Sequence, residues 1–177
     1  MKEVFQDLYQ KYHQDIFQFL FYMVKDRNLA EDLVQEVYVK VLKSYHRFKG
    51  ESTEKTWLFS IARHIAIDHF RKQKRTRKRV IDSFDLSEKN DLIRDHAKLP
   101  EEIAVQNESI QTMYKCLKHC TIDQQTVIIL RYIQLLSIQE TADVLNWSVS
   151  KVKTTQHRAM KALKKRMLDE EAGTNGK

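Results

Sequence analysis

The sequence predicts an all-α protein built as two small helical domains joined by a flexible linker. The chain of 177 residues contains three Gly, one Pro and 31% charged residues, a composition that favours helices over a turn-rich sheet. Apolar residues recur every three or four positions along most of the chain, which is the period of an amphipathic helix. This period is lost between residues 81 and 99, where acids outnumber bases, so we place the linker there.

Charge and hydropathy limit the classes of function. The formal net charge of +7 favours a polyanionic partner. No apolar run is long enough to span a membrane and the first residues do not resemble a signal peptide, so we expect a cytoplasmic protein. The sequence has no Gly-rich phosphate loop and no nucleophile elbow, so we expect neither an enzyme nor a cofactor.

The two cysteines, Cys116 and Cys120, lie four residues apart on one predicted helix, with His119 between them. A zinc site would need two more ligands, and only scattered histidines are available. We therefore interpret them as reduced cysteines packed in or near a helix interface, and we expect no metal site.

Three helices are predicted in the amino-terminal part of the chain. The first spans residues 2–24, the second begins at a capping box formed by Asn28 and Glu31, and the third begins near Thr53. Each has an inner apolar stripe, and together the stripes should form one core. The stripes are Phe5, Leu8, Tyr12, Ile16, Phe19 and Met23; Leu33 or Val34, Val37, Val41, Tyr45 and Phe48; and Leu58, Ile61, Ala62 and Ile65.

The outer face of the second predicted helix is unusual for a basic protein. Asp32, Gln35, Glu36 and Val39 follow one another at helical spacing, so they form one acidic and partly apolar surface, which we call the acidic patch. One interpretation is an ordinary solvated face with acids near a helix amino terminus. The other is a docking surface for a basic partner protein. Periodicity alone leaves both interpretations open.

The third predicted helix carries a basic run, because residues 63–79 contain eight Lys or Arg and one acid. An exposed Trp57 near these cations could stack on unpaired bases while the cations hold phosphates. The alternatives are core packing of Trp57 and a soluble helix end for the basic run. Together the features favour nucleic acid. The candidate residues are Trp57, Arg63, His64, Asp68, Arg71 and Lys72.

The carboxy-terminal part is predicted to contain four helices. The first starts at Pro100 and runs to about His119, and the second starts at a capping box of Thr121 and Gln124. The expected buried residues of these two helices are Ile103, Ile110, Met113 or Tyr114, Leu117, Val127, Ile128, Leu130 and Tyr132.

The last two predicted helices have the pattern of a helix-turn-helix. Ser137 and Glu140 form a capping box, Asn146 suits the left-handed end of a short helix, and Ser148 can cap the next helix. The inner stripes are Ile138, Ala142 and Leu145 in the short helix, and Val152, Ala159, Leu163 and Met167 in the long one.

The outer face of the last helix is basic, since residues 150–167 contain seven Lys or Arg and no acid. A helix whose amino-terminal half presents short donors and cations suits the major groove of DNA. The alternative is a solvated basic helix on a three-helix bundle. The candidate DNA-reading residues are Lys151, Lys153, Thr154, His157 and Arg158.

Three blocks of the sequence resemble the extracytoplasmic-function sigma factors of the sigma-70 family, in that family's order. They match its polymerase-docking segment, its promoter-melting and −10-reading helix, and its −35-reading helix-turn-helix. Within the family the chain most resembles the sigma-X type. The matching residues are 30–36 (AEDLVQE), 56–63 (TWLFSIAR) with 67–68 (ID), and 137–142 (SIQETA) with 152–153 (VK) and 157–159 (HRA).

The resemblance implies a subunit that binds core RNA polymerase through the acidic patch and directs initiation at promoter DNA with −10 and −35 elements. It also implies restraint by an anti-sigma factor, often a membrane-anchored one, and no independent binding of duplex DNA. The rival hypotheses are a free-standing helix-turn-helix regulator, which does not need the acidic patch, and an RNA-binding helical module. The implied division is 1–80 for the three-helix sigma-2 bundle, 81–99 for the linker, 100–168 for the four-helix sigma-4 domain and 169–177 for a disordered tail.

Two residues depart from the family pattern. His64 stands where members often carry an Asn that reads a flipped −10 base, so its base preference need not be the same. Gln156 stands where members usually carry a core Leu, so either it is buried with a partner or the helix is slightly rotated there.

Overall fold

The structure, a computed structural model, describes residues 2–83 and 100–174. Within these ranges the chain is helical and contains no strand, as the sequence predicts. The helices are α1 (Lys2–Val24), α2 (Arg27–Ser44), α3 (Glu54–Ser83), α4 (Glu101–Ala104), α5 (Glu108–Leu117), α6 (Ile122–Ile128), α7 (Ile138–Leu145) and α8 (Val149–Thr174), with a 3₁₀ turn at Tyr45–Arg47 and a π-helical segment at Ile129–Ile133.

The start of α2 differs from the prediction, because the expected capping box at Asn28 is wrong. Asp26 is the N-cap, and its carboxylate accepts a hydrogen bond of 2.9 Å from the backbone N–H of Leu29. Asp caps a helix as well as Asn does, so the first available cap starts the helix. Lys25 makes the turn from α1 with a left-handed φ of 56°.

Helices α1, α2 and α3 pack against one another around the predicted stripes. Tyr38 and Phe59 are also buried, although they lie outside those stripes. The ring of Phe59 meets Phe19 edge-on at a centroid distance of 5.5 Å. The burial of Phe59 shows that α3 is covered on a wider arc than its predicted inner stripe. The predicted linker, residues 81–99, lies outside the described residues except for 81–83, which continue the backbone of α3.

The helix predicted from Pro100 to His119 is divided in two. Asn107 is the N-cap of α5 and accepts from the N–H of Ile110 at 3.0 Å, which ends α4 and starts a new helix. Pro100 occupies the N-cap of α4 rather than its first turn. Helix α5 also ends at Leu117, earlier than predicted, so Cys120 lies beyond it and does not share a helix with Cys116.

Both cysteines are buried and free, which confirms the prediction of two reduced, packed thiols. Burial raises the pKa of both the Cys116 and the Cys120 thiol above the ordinary value. No group of His, Cys, Asp or Glu that could hold a metal ion is found among the described residues.

The capping boxes predicted at Thr121 and Ser137 are both present, each with its reciprocal pair of hydrogen bonds. Asn146 ends α7 in the left-handed conformation, with φ 53°, as predicted. Tyr132 is 43% exposed and does not belong to the core, because the π-helical segment shifts the side chains relative to a regular helix.

The prediction of a disordered tail from residue 169 is wrong for most of its length, because helix α8 continues to Thr174. Met167 still packs against the core just before this stretch. Asp169 follows Lys165 by four residues, a spacing at which opposite charges interact on a helix. In the described ranges, no helix has the length and apolar character that a membrane crossing would require.

Candidate polymerase and DNA interfaces

The acidic patch lies where the sequence places it. Asp32, Gln35, Glu36 and Val39 are exposed on α2, and Val39 exposes 48% of its surface. The opposite side of α2 buries its inner stripe, so the helix is held rigidly with the patch outward. The four patch residues line a groove of about 720 Å³, whose other residues are Leu33, Lys40, Ile65, Asp68, His69 and Lys72.

A second groove, of about 430 Å³, lies between α1 and α2 and shares Gln35 and Val39 with the acidic patch. Tyr9 stacks on His13 at 4.3 Å and contacts Tyr38 at 4.9 Å between ring centroids. The inner stripe of α1 does not predict this groove, because Tyr9 and His13 lie beside that stripe. The sequence signal that could have indicated the groove is the spacing of these two aromatic residues, four positions apart on one helix, which places their rings side by side.

Trp57 is half-buried at the start of α3. Its ring lies 4.9 Å from Phe48 and 5.9 Å from Tyr45, both measured between centroids. Core packing therefore buries part of the Trp57 side chain, and the rest of that side chain is exposed to solvent. The helix begins beside it because the Thr53 hydroxyl accepts from the N–H of Thr56 at 3.1 Å.

The other candidates on α3 divide between two environments. His64, Asp68, Arg71 and Lys72 are exposed. Asp68 and Arg71 form an exposed ion pair at 3.7 Å, which contributes little to stability. Arg63 is half-buried, and its Nε is buried without a hydrogen-bond partner in the described part of the chain, so it does not share the open surface of the others.

His64 has one ring nitrogen committed to its own helix. Its Nδ1 lies 2.6 Å from the carbonyl oxygen of Ser60, so this nitrogen is the donor. In the neutral ring Nε2 is then an acceptor, and in the protonated ring it is a second donor. An exposed imidazole held in this way can pair with a base edge.

The helix-turn-helix presents its five candidates together. Ser148 caps α8 by accepting from the N–H of Lys151 at 3.1 Å, as predicted. Lys151 Nζ lies 4.0 Å from the centre of the Trp147 ring, a cation–π contact that holds this ammonium at the helix start. The exposed candidates in the first turns of α8 are Lys151, Lys153, Thr154, His157 and Arg158.

Gln156 is half-buried and has a partner, which decides between the two predicted alternatives. Arg131 Nε donates to Gln156 Oε1 at 2.9 Å, and Arg131 Nη1 donates to the carbonyl of Leu136. The inner stripe of α8 is also in place, with Val152, Ala159 and Leu163 buried. The outward direction of the DNA-reading candidates is therefore set by packing on one side and by the Arg131 contact beside it.

Comparison with known proteins identifies the family. The profile described as sigma-70 region 2 matches residues 8–76, and the profile described as sigma-70, region 4 matches residues 110–163. The ECF RNA polymerase sigma factor SigX of Bacillus subtilis is 60% identical over 94% of this chain and 85% of its own length. The chain belongs to the extracytoplasmic-function sigma factors.

Other similar proteins are also sigma factors. RNA polymerase sigma factor YlaC of Bacillus subtilis is 34% identical over 94% of the chain and 93% of its own length. The sigma factor RpoE of Bartonella quintana, solved in complex with the anti-sigma factor NepR, has the same fold, with a TM-score of 0.70 at 24% identity over 94% of this chain and 98% of that chain. The family and the sigma-X likeness predicted from the sequence are confirmed.

Proposed function

We propose that this sigma factor binds core RNA polymerase through the acidic patch and directs it to promoters by reading two DNA elements. The observation that carries the proposal is the separation of surfaces: an exposed acidic patch on α2 and an exposed basic face on α8. A nucleic acid repels the first surface and attracts the second. A free-standing regulator has no use for the acidic patch, whereas a polymerase subunit needs both.

The −35 element is assigned to the first turns of α8, which would enter the major groove. Lys153 and Arg158 can donate to purine acceptors, Thr154 can bond or touch a methyl group, and His157 can pack on a base edge. Lys151 is assigned to a phosphate, and its contact with the Trp147 ring supports this assignment because it holds the ammonium at the start of the helix.

The −10 element is assigned to α3 and the loop before it. Trp57 offers a partly exposed ring for a base removed from the stack, and His64 offers Nε2 for its edge. Arg71 and Lys72 supply charge for the backbone, with Asp68 beside Arg71. Arg63 joins this set only after its guanidinium leaves its half-buried position.

The proposal is tested by promoter binding and transcription with and without core polymerase. The chain alone should leave duplex promoter DNA unshifted, and the chain with core should give a specific complex and a run-off transcript. A specific shift by the chain alone would instead support a free-standing helix-turn-helix regulator.

We also propose that an anti-sigma factor restrains this sigma factor in the cytoplasm, and that this partner is membrane-anchored. The support is the shared fold with the Bartonella quintana protein, which was solved in complex with an anti-sigma factor. Affinity capture on the immobilised chain from the solubilised membrane fraction should recover one partner that competes with core polymerase. A captured partner that leaves core binding unchanged would contradict restraint.

A further inference from the structure

The base-reading stretch of α8 has apolar anchors at its two ends and polar residues between them. Val152 and Ala159 are buried, and their spacing of two helical turns places both on the same side of the helix. Between them lie the half-buried side chains of Thr155 and Gln156, and both are polar. The base-reading candidates within these two turns are Lys153, Thr154, His157 and Arg158. Apolar packing therefore fixes the ends of this stretch and leaves its middle to a polar contact.

The guanidinium of Arg131 supplies that polar contact. Its Nε donates to Gln156 Oε1 at 2.9 Å, and its Nη1 donates to the carbonyl oxygen of Leu136. Arg131 is half-buried, so its bonds meet less competition from water than bonds at an open surface. Because a guanidinium is planar and rigid, two acceptors on different nitrogens fix its orientation. The fixed guanidinium in turn fixes the side-chain amide of Gln156.

The backbone around Arg131 is irregular in a way that brings these groups together. Arg131 lies in the middle of the π-helical segment Ile129–Ile133, a rare conformation that is frequent at functional sites. After this segment Leu135 has a left-handed φ of 56°, and its exposed side chain packs on little. The N–H of Leu136 then donates to the carbonyl of Leu130 at 3.0 Å, and its own carbonyl accepts from Arg131. Backbone strain of this kind persists where the surrounding structure requires it.

A small rotation of a recognition helix is enough to change base reading. Side chains reach about 5–6 Å from the axis of a helix, so a rotation of about 20° moves their ends by about 2 Å. A hydrogen bond to a base edge is lost over this distance, because its donor and acceptor must lie about 2.7–3.2 Å apart. A bond that prevents such a rotation therefore influences which base is preferred without itself touching DNA.

We propose that Arg131 and Gln156 are positioning residues for −35 recognition, because their hydrogen bond holds the second turn of α8 at the rotation that base reading requires. This inference rests on the proposed function. Neither residue belongs to the candidate DNA-reading set, and the effect needs no contact of either with DNA. Lys153 precedes Gln156 by three residues and His157 follows it directly, so these two candidates are affected most. Loss of the bond should change the base preference of the −35 site.

Gln156→Leu is the sharpest test, because it removes the acceptor and leaves the charge of Arg131 in place. Arg131→Met removes the donor, and Gln156→Glu keeps an acceptor for Arg131. Ile103→Val, a buried change in α4, is the control for a general loss of stability. Each chain is combined with core polymerase and transcribes a library of −35 variants and a library of −10 variants. The assay temperature lies below the unfolding midpoint of the least stable chain.

Gln156→Leu should change the relative transcription of −35 variants by roughly five- to tenfold at the positions that Lys153 or His157 reads, and should keep the −10 ranking. Arg131→Met should give the same altered −35 ranking, and the double variant should add no further change in ranking, because all three lack the same bond. Gln156→Glu should keep the wild-type ranking, although its charge lowers transcription from every promoter. Ile103→Val should keep the ranking as well.

An unchanged −35 ranking in both Gln156→Leu and Arg131→Met would overturn the proposal. If Arg131→Met lowers all promoters by one factor and Gln156→Leu has no effect, Arg131 is a phosphate contact instead of a positioning residue. An altered ranking in Ile103→Val would show that α8 responds to any loss of stability, which also overturns the proposal. A wild-type complex without −35 preference would defeat the proposed role of α8 itself, whereas a normal wild-type preference that no variant changes defeats only the inference.

Discussion

Arg131 donates through Nε to the side-chain oxygen of Gln156 at 2.9 Å and thereby ties the π-helical segment to helix α8. The same guanidinium also donates to the carbonyl of Leu136, just before the helix-turn-helix. Arg131 therefore bridges the segment before α7 and helix α8 after it. This contact explains how the polar Gln156 side chain is accommodated at a half-buried position of α8.

The Arg131–Gln156 pair should behave as a coupled unit. Gln156→Leu alone should lower the free energy of unfolding by about 1–2 kcal/mol, because it leaves the half-buried Arg131 Nε without its acceptor. Arg131→Met alone should cost a similar amount or more. The double variant should cost less than the sum of the two, by roughly 0.5–1 kcal/mol, in urea unfolding of all four chains. Strict additivity would mean that the hydrogen bond does not couple the two positions.

Leu135 should be a site at which glycine stabilises the fold. It has a left-handed φ of 56° and an 80% exposed side chain, so it bears backbone strain and buries almost nothing. Leu135→Gly should raise the free energy of unfolding by about 1 kcal/mol, since glycine adopts this conformation without strain. Leu136→Gly is the matched control, because Leu136 is 2% exposed and should lose roughly 3 kcal/mol or more. Thermal or urea unfolding that shows a loss for Leu135→Gly would contradict the strain argument.

Lys25 should make stability depend on pH. Burial lowers the pKa of Lys25 to about 8, below its ordinary value of about 10.4, with the Cys120 thiol as the nearby titratable group and Gln125 as its partner. The unfolded state binds more protons than the folded state between these values. The Lys25 contribution therefore favours folding more as pH rises from 8 toward 10, by at most about 1 kcal/mol per pH unit.

The comparison of wild type with Lys25→Met isolates this contribution. The raised pKa values of Tyr22 and Tyr114 give slopes of the opposite sign at alkaline pH, and both chains share them. Lys25→Met also removes the ammonium that lowers the pKa of the Cys120 thiol, and this change reduces the difference at alkaline pH in the same direction. The difference in unfolding free energy between the variant and the wild type should be largest at pH 7 and should shrink toward pH 10. A difference that does not vary with pH would place the Lys25 ammonium in solvent.

Local features of the fold could be read from the sequence, whereas contacts between distant segments could not. The caps at Thr121 and Ser137 and the left-handed end at Asn146 depend on neighbouring residues and were predicted correctly. The cap at Asn107 was missed because it has no Glu or Gln partner three residues later to mark it. The Gln18–Gln134 pair joins residues 116 positions apart, and no periodicity indicates such a pairing.

The same limit applies to the candidate sites. Asp32 and Arg158 are exposed as predicted, because each helix has one apolar stripe that faces the core and leaves the opposite side exposed. Arg63 was grouped with His64 as a DNA-facing residue, but it is half-buried on a second face of α3. That second face is buried through tertiary packing, which the stripe facing α1 and α2 did not reveal.

The acidic patch should be required for core binding. Asp32→Arg with Gln35→Ala should weaken core affinity by roughly 2–5 kcal/mol if Asp32 pairs with a basic group in the interface. Asp7→Arg, an exposed acid-to-base change on α1, is the control and should bind core like the wild type. Competition for core, with circular dichroism to check helix content, measures the effect. Equal affinity of the patch variant and the control would assign docking to another surface.

Two residues of α8 should separate base reading from phosphate contact. Arg158 is exposed three turns into the helix and is assigned to a base edge, whereas Lys151 at the helix start is assigned to a phosphate. Arg158→Ala should change which −35 sequences support transcription by the polymerase complex, at roughly 1–3 kcal/mol of discrimination for one position. Lys151→Ala should weaken binding to all −35 sequences alike and reduce the salt dependence of binding.

Lys164→Ala, an exposed change further along α8, is the control and should leave the ranking of promoters intact. Transcription from a library of −35 variants measures all three, and a uniform decrease with Arg158→Ala would make Arg158 a backbone contact instead of a base reader.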